Sequence, residues 1–187
     1  MRPGSRASWL GPAALLASLL TVAFGGRVVS SVLEEPVGAT VGFDGLMIRP
    51  LSGWEQAGAG EAGGWTFFRL TRGTGNLDVS MQAPATSGDA TVAAIRYVDD
   101  VLRRSLVRLS VSEGLEPLSL EGRPGVRFAY AGVVVDTRQP IEGEVTVVWT
   151  GKGGVAFDAW TPEGQLAFAL GDINAMIDSA TIDATSG

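Results

Sequence analysis

Neither cysteine nor histidine occurs in the 187-residue chain. The first absence excludes disulfides, thiolate metal sites, a cysteine nucleophile and a lipidated cysteine anchor. The second excludes a Ser-His-Asp triad, imidazole metal ligands and an imidazole proton relay. Basic residues are scarce too: 13 Arg and one Lys stand against 20 Asp+Glu, for a net charge of −6. A nucleic-acid-binding surface needs a basic patch, so nucleic acid is not an expected partner. What the chain does have is apolar material, 45% of its residues, which is enough for a packed core.

The charge is unevenly placed. Arg2, Arg6 and Arg27 precede Glu34 and no acidic residue does, so residues 1–33 carry +3 and the remainder −9. Between Arg6 and Arg27 lies an uncharged stretch that starts at Ala7 and ends at Gly26. Its 20 residues would span the hydrocarbon core of a bilayer, about 30 Å, as a helix. It is longer than the apolar region of a cleaved leader, and Ala23-Phe24-Gly25 is a mediocre cleavage site. The expectation is therefore an uncleaved signal anchor, with secretion after cleavage as the alternative. The basic residues before the stretch outnumber Arg27, which keeps the N-terminus cytoplasmic and places the acidic body outside. Glu35-Pro36 ends any helical continuation, and residues 34–38 read as a tether.

Residues 39–187 read as one extracytoplasmic α+β domain. Strands are expected at 40–43 and 46–49 around Asp44-Gly45, then a Gly-rich loop over 50–64 that holds Trp54. Strands 65–72 and 77–82 flank Gly73-Thr74, a type II′ hairpin turn that sets Phe68 opposite Val79 and Leu70 opposite Leu77. A long helix follows the cap Asp89, with an apolar stripe of Val92, Ile95, Val98, Leu102, Leu106 and Leu109. Asp99 and Arg103, and Asp100 and Arg104, stand at ion-pair spacing on it. Strands at 115–120 and around Val126, Phe128 and Tyr130 precede a hairpin of 142–150 and 155–161. A three-residue loop, Gly151-Lys152-Gly153, would set Trp149 opposite Val155 and Val147 opposite Phe157. A last helix is expected from Thr161-Pro162-Glu163, burying Leu166, Leu170, Ile173 and Ile177.

The order of these elements resembles the PsbP-like fold superfamily. It comprises two short strands, a turn from Pro50 to Gly53-Trp54, a hairpin, one long helix, a strand meander and a terminal helix. That superfamily includes the photosystem PsbP proteins, the Ran-binding Mog family and LpqN-type actinobacterial envelope lipoproteins. The spacing from Pro50 to Trp54 is one residue longer than the family pattern, and the lipobox cysteine is missing. The resemblance implies an antiparallel sheet sandwiched by helices (an α/β/α sandwich) and a non-catalytic binding or assembly role. It assigns no functional residue.

Chemistry-bearing patterns are few. Gly58-x-Gly60-x-x-Gly63 has the dinucleotide-fingerprint spacing but runs into a strand at Trp65 rather than opening a helix, so no cofactor is expected. Glu142, Glu144 and Asp158 would share the non-core face of the last hairpin, where Arg127 or Arg138 would neutralise them; neither a catalytic pair nor a metal site is expected there. Trp54, Trp65 and Trp160, with Tyr97 and Tyr130, are candidates to floor an apolar groove between sheet and helix. Trp54, Trp65, Glu144, Asp158 and Trp160 are thus the candidate ligand or partner face. The expected function is a membrane-anchored accessory domain serving an envelope protein. A carrier or sensor of an apolar ligand such as a lipid is one alternative, and a carboxylate-dependent hydrolase another.

Overall fold

The computed structural model describes residues 39–43, 45–82 and 88–182. The apolar stretch expected as an anchor lies outside them. Among the described residues no helix is long and apolar enough to cross a membrane.

Every strand pairing is antiparallel. Strands β1 (Val41–Phe43) and β2 (Leu46–Ile48) form a small sheet with the C-terminal β11 (Thr181–Ile182), in the order β1-β2-β11. The large sheet has eight strands: β3 (Glu55–Ala62), β4 (Trp65–Arg72), β5 (Gly75–Gln82), β6 (Leu106–Val111), β7 (Glu116–Leu120), β8 (Arg123–Val134), β9 (Pro140–Trp149) and β10 (Gly154–Pro162). Their order is β3-β4-β5-β10-β9-β8-β6, with β7 pairing further along the β8 edge. Helix α1 (Ala90–Tyr97) continues through a π-helical segment (Val98–Leu102) and a last turn (Arg103–Ser105) and covers one face. Helix α2 (Leu166–Asp178) covers the other.

Two apolar layers result. Under α2, Phe68, Leu70, Leu77, Val79, Val148, Val155 and Phe157 meet Ile173, Met176 and Ile177, and the small sheet adds Leu46, Ile48 and Ile182. Under α1, Trp65, Val126, Phe128, Tyr130, Val145, Val147 and Ala156 meet Ala90, Ala93, Ala94 and Tyr97. The β4–β5 hairpin has the expected register, Phe68 with Val79 and Leu70 with Leu77, around Gly73 at φ +61°. A left-handed φ at the first central position is what a type II′ turn requires, and glycine supplies it without strain.

Five expectations are corrected. The Gly-rich loop is largely strand: β3 pairs with β4 along Glu55–Ala62, with a bulge between Gln56 and Gly58. Glycine and alanine have low strand propensity, but the ladder that β4 offers on its free edge outweighs it. The long helix stops at Ser105, and Leu106 turns to φ −125°, ψ 137° to start β6, which places Leu109 in a strand. Near its end Leu102 is buried and Val98 half-buried, as expected. Over Ala90–Tyr97, however, its buried face is Ala90, Ala93, Ala94 and Tyr97, whereas Val92 and Ile95 are exposed. Close approach decides this choice. A Cβ on Gly154 would fall 2.6 Å from the Ala93 Cβ, so only a small-residue face lets the helix lie so near the sheet.

The β9–β10 hairpin is shifted by one residue from the expected register. Trp149 faces Gly154, Val148 faces Val155 and Val145 faces Asp158. The loop holds four residues, with the left-handed glycine at Gly151 (φ +87°) rather than Gly153. Thr150 closes it by accepting the Lys152 and Gly153 amides on its hydroxyl. Because alternate residues face opposite sides, the shift puts Trp149 and Trp160 under α1 and Phe157 under α2. Finally, β10 runs through Pro162, and α2 starts at Leu166, whose amide donates to Glu142 Oε1 at 2.9 Å. A carboxylate from a neighbouring strand thus serves where a local N-cap was expected.

Candidate functional site

The polar residues buried under α1 follow from the register. One row crosses the sheet through Arg69, Asp78, Asp158, Val145 and Phe128; the next carries Thr71, Asn76, Trp160, Gly143 and Tyr130. Asp78 accepts two bonds from Arg69, at 2.6 and 2.7 Å, and a third from the Trp160 indole N–H at 3.2 Å. The Arg69 guanidinium also lies 4.9 Å from the Trp160 ring centre, a cation–π contact. Asp158, directly across the ladder from Asp78, is buried. Its two oxygens accept from Tyr97 at 3.0 Å and Tyr130 at 2.9 Å.

Each tyrosine reaches Asp158 because something small makes way. Tyr130 extends over Gly143, where a Cβ would fall 2.5 Å from its ring. Tyr97 descends from α1 because the alanine face brings the helix close. Trp65 packs edge-on against the Tyr97 ring, with centroids 5.1 Å apart and planes at 88°.

Burial is the main reason that Asp158 is shifted to a pKa of about 7, and the neighbouring Asp78 charge adds to it. The bonds from Tyr130 and Tyr97 and the charge of Arg69 oppose the shift. Burial and the Asp158 charge push both tyrosines well above their ordinary range. The folded protein therefore binds the Asp158 proton more tightly than the unfolded chain, in which an aspartate titrates near about 4. This group's stabilisation is complete below about pH 4, declines as the pH rises, and is gone above the folded value of about 7. Between pH 5 and pH 8 the loss should be about 2–3 kcal/mol. Asp158→Asn should remove that part of the pH dependence of urea unfolding. A variant with the wild-type pH slope would show that Asp158 is not its source.

The five residues expected to form one face divide between two. Trp65, Asp158 and Trp160 lie under α1, Trp65 and Asp158 buried and Trp160 half-buried. Trp54 packs with the α2 layer, its indole N–H 3.5 Å from Asp172 Oδ2. Glu144 also lies on the α2 side, 3.4 Å from Arg127. Burial raises the Glu144 pKa against the opposing pull of Arg127, and Glu116 adds to the rise. The expected cluster of Glu142, Glu144 and Asp158 is therefore divided by the sheet itself, a consequence of the one-residue shift. Arg69 and Asp78 were not among the expected site residues, although they follow from the β4–β5 register, which pairs them directly. Two hollows among the described residues are open to solvent. One is lined by Thr40, Met47, Arg49, Ser179 and Thr181, the other by residues of β3 and β4 with Gly42, and neither includes any of the five.

No protein-family model matches the sequence, and no curated protein does. Solved structures do match. The solution structure of cyanobacterial PsbP (CyanoP) from Synechocystis sp. PCC 6803 superposes with a TM-score of 0.55 at 16% identity, over 85% of this chain and 96% of that one. LpqN, involved in cell envelope biogenesis of Mycobacterium tuberculosis, superposes with a TM-score of 0.51 at 11% identity, over 79% of this chain and 86% of that one. The fold is PsbP-like. At such identities the likeness is one of architecture, which the order of elements in the sequence had implied. Within this PsbP-like domain the Arg69–Asp78–Asp158 row with its two tyrosines is a connected polar arrangement that is half-buried at Arg69 and Asp78 and buried at Asp158, Tyr97 and Tyr130.

Proposed function

We propose that the chain is a non-catalytic accessory domain of the cell envelope that acts on an envelope partner protein. The stretch from Ala7 to Gly26 holds it at the outer face of the membrane. The observation that carries this reading is the PsbP-like fold shared with LpqN, a protein of cell envelope biogenesis. The charge distribution supports the orientation: a +3 segment ahead of a −9 domain.

The disposition of the acidic groups also favours a binding role over hydrolysis. Asp158 is sealed under α1, and Glu144 stands on the opposite face beside Arg127, so the two do not flank a common cleft. The apolar-ligand alternative has less support, because Trp65 and Trp160 pack against α1 and Arg69 rather than floor an open groove.

Membrane fractionation of the full chain, with external protease and N-terminal sequencing, tests the anchoring. The domain should sediment with membranes and be cleaved from outside; a soluble protein beginning near Gly26 would refute retention. Photo-crosslinking from exposed positions should trap a discrete envelope protein. Turnover of a glycoside or ester that is lost in Glu144→Gln would overturn the accessory role.

A further inference from the structure

Helix α1 is attached to the sheet in an unusual way. Three of the four residues it buries are alanines, Ala90, Ala93 and Ala94, and the fourth is Tyr97. Burial energy scales with apolar area, so Tyr97 is the principal side chain by which Ala90–Tyr97 holds on, while Leu102 anchors the continuation beyond it. Its hydroxyl ends on Asp158, which in turn faces Asp78 across the ladder. Immediately after Tyr97 the helix widens into its π-helical segment, Val98–Leu102, an interruption that lowers the cost of bending there.

We propose that the Asp158 carboxyl buried beneath Tyr97 is a proton-operated latch: α1 rests on the sheet while Asp158 is protonated and lifts more readily as Asp158 ionises, because burying that charge costs more than the bond from Tyr97 returns.

The groups that face this contact are few and identifiable. From β5 come Asp78 and the buried hydroxyl of Ser80, from β4 Arg69, from β10 the Trp160 indole, and from β8 Tyr130. Asp78 is already neutralised by Arg69, so the charge that appears on Asp158 has no cation of its own. The charged residues of the helix lie towards solvent: Asp99 pairs with Arg103, Asp100 with Arg104, and Arg96 is exposed. Lifting α1 hydrates the Asp158 carboxylate. Opening therefore becomes easier as the proton leaves, and the Asp158 pKa of about 7 places the transition near neutrality.

The missing cysteines make the test direct. Ala94→Cys puts a unique thiol under α1, and Ala159→Cys puts one under α2 as a reporter of global unfolding. Labelling rates of the full chain, divided by those of the unfolded chain at the same pH, read out opening. From pH 5.5 to 8.5 the rate at position 94 should rise about 30-fold, the ratio set by the closed and open titrations, while the rate at position 159 stays far lower. Asp158→Asn should flatten the profile at position 94. Tyr97→Phe removes a donor to the carboxylate and should move the midpoint to higher pH; it serves also if the Asn variant does not fold. A flat wild-type profile, a slope retained in Asp158→Asn, a midpoint unmoved by Tyr97→Phe, or equal protection of the two thiols at every pH would each overturn the latch; a parallel pH slope at the two positions would not, because global unfolding also hydrates Asp158.

Discussion

Gly143→Val is expected to destabilise the domain by about 3 kcal/mol, through overpacking and the loss of a buried hydrogen bond. Gly143 lies under the Tyr130 ring, where even a Cβ would come within 2.5 Å of ring carbons and 2.7 Å of the hydroxyl. Tyr130 cannot step aside cheaply. It is buried with Phe128 and Val145, and its hydroxyl is fixed on Asp158 at 2.9 Å. A larger residue at 143 must push the ring off, which leaves one Asp158 oxygen with a donor fewer in a dry site. Urea midpoints of the single and double variants give the check. In a Tyr130→Ala background the space above residue 143 is empty, so the added cost of Gly143→Val should fall to well under half. An undiminished cost would place the clash elsewhere.

Phe157→Ala should cost about 4 kcal/mol, the usual range for removing a fully buried aromatic ring. Phe157 has no exposed surface and sits under α2 in the layer that holds Val79, Val148, Ile173 and Met176. Phe168→Ala, further along the chain, should change stability by no more than about 0.5 kcal/mol, because Phe168 is 88% exposed on the outer side of α2. Thermal or urea unfolding of the two variants side by side distinguishes them. A small loss at Phe157, or a large one at Phe168, would mean that α2 is docked by a different face.

The sequence was most informative where one local signal sufficed. Gly73 demands its turn type, and Leu77, Val79 and Met81 alternate with polar neighbours, so the β4–β5 register was legible and with it, in principle, the Arg69–Asp78 pair. The i,i+4 pairs on the π-helical segment and last turn were legible for the same reason. The β9–β10 register was not. Both faces of these strands are covered, so Val147 and Val148, like Ala156 and Phe157, are all buried, and apolar alternation cannot separate two registers one residue apart. The candidate site suffered directly, since that single step moves Asp158 away from Glu144 and under Tyr97.

By itself, then, the sequence determined the exclusions that follow from missing cysteine and histidine, the charge asymmetry about Glu34, the α+β class and the hairpins whose turns carry their own geometry. These depend on composition and on contacts a few residues apart. Only the tertiary structure decided which face of α1 is buried, that a Gly-rich segment becomes an edge strand, and that a lone aspartate ends beneath two tyrosines. Those outcomes depend on contacts between elements that the local pattern does not encode: Gly154 lets α1 approach the sheet, Gly143 makes room within the sheet for the Tyr130 ring, and β4 offers its free edge to β3.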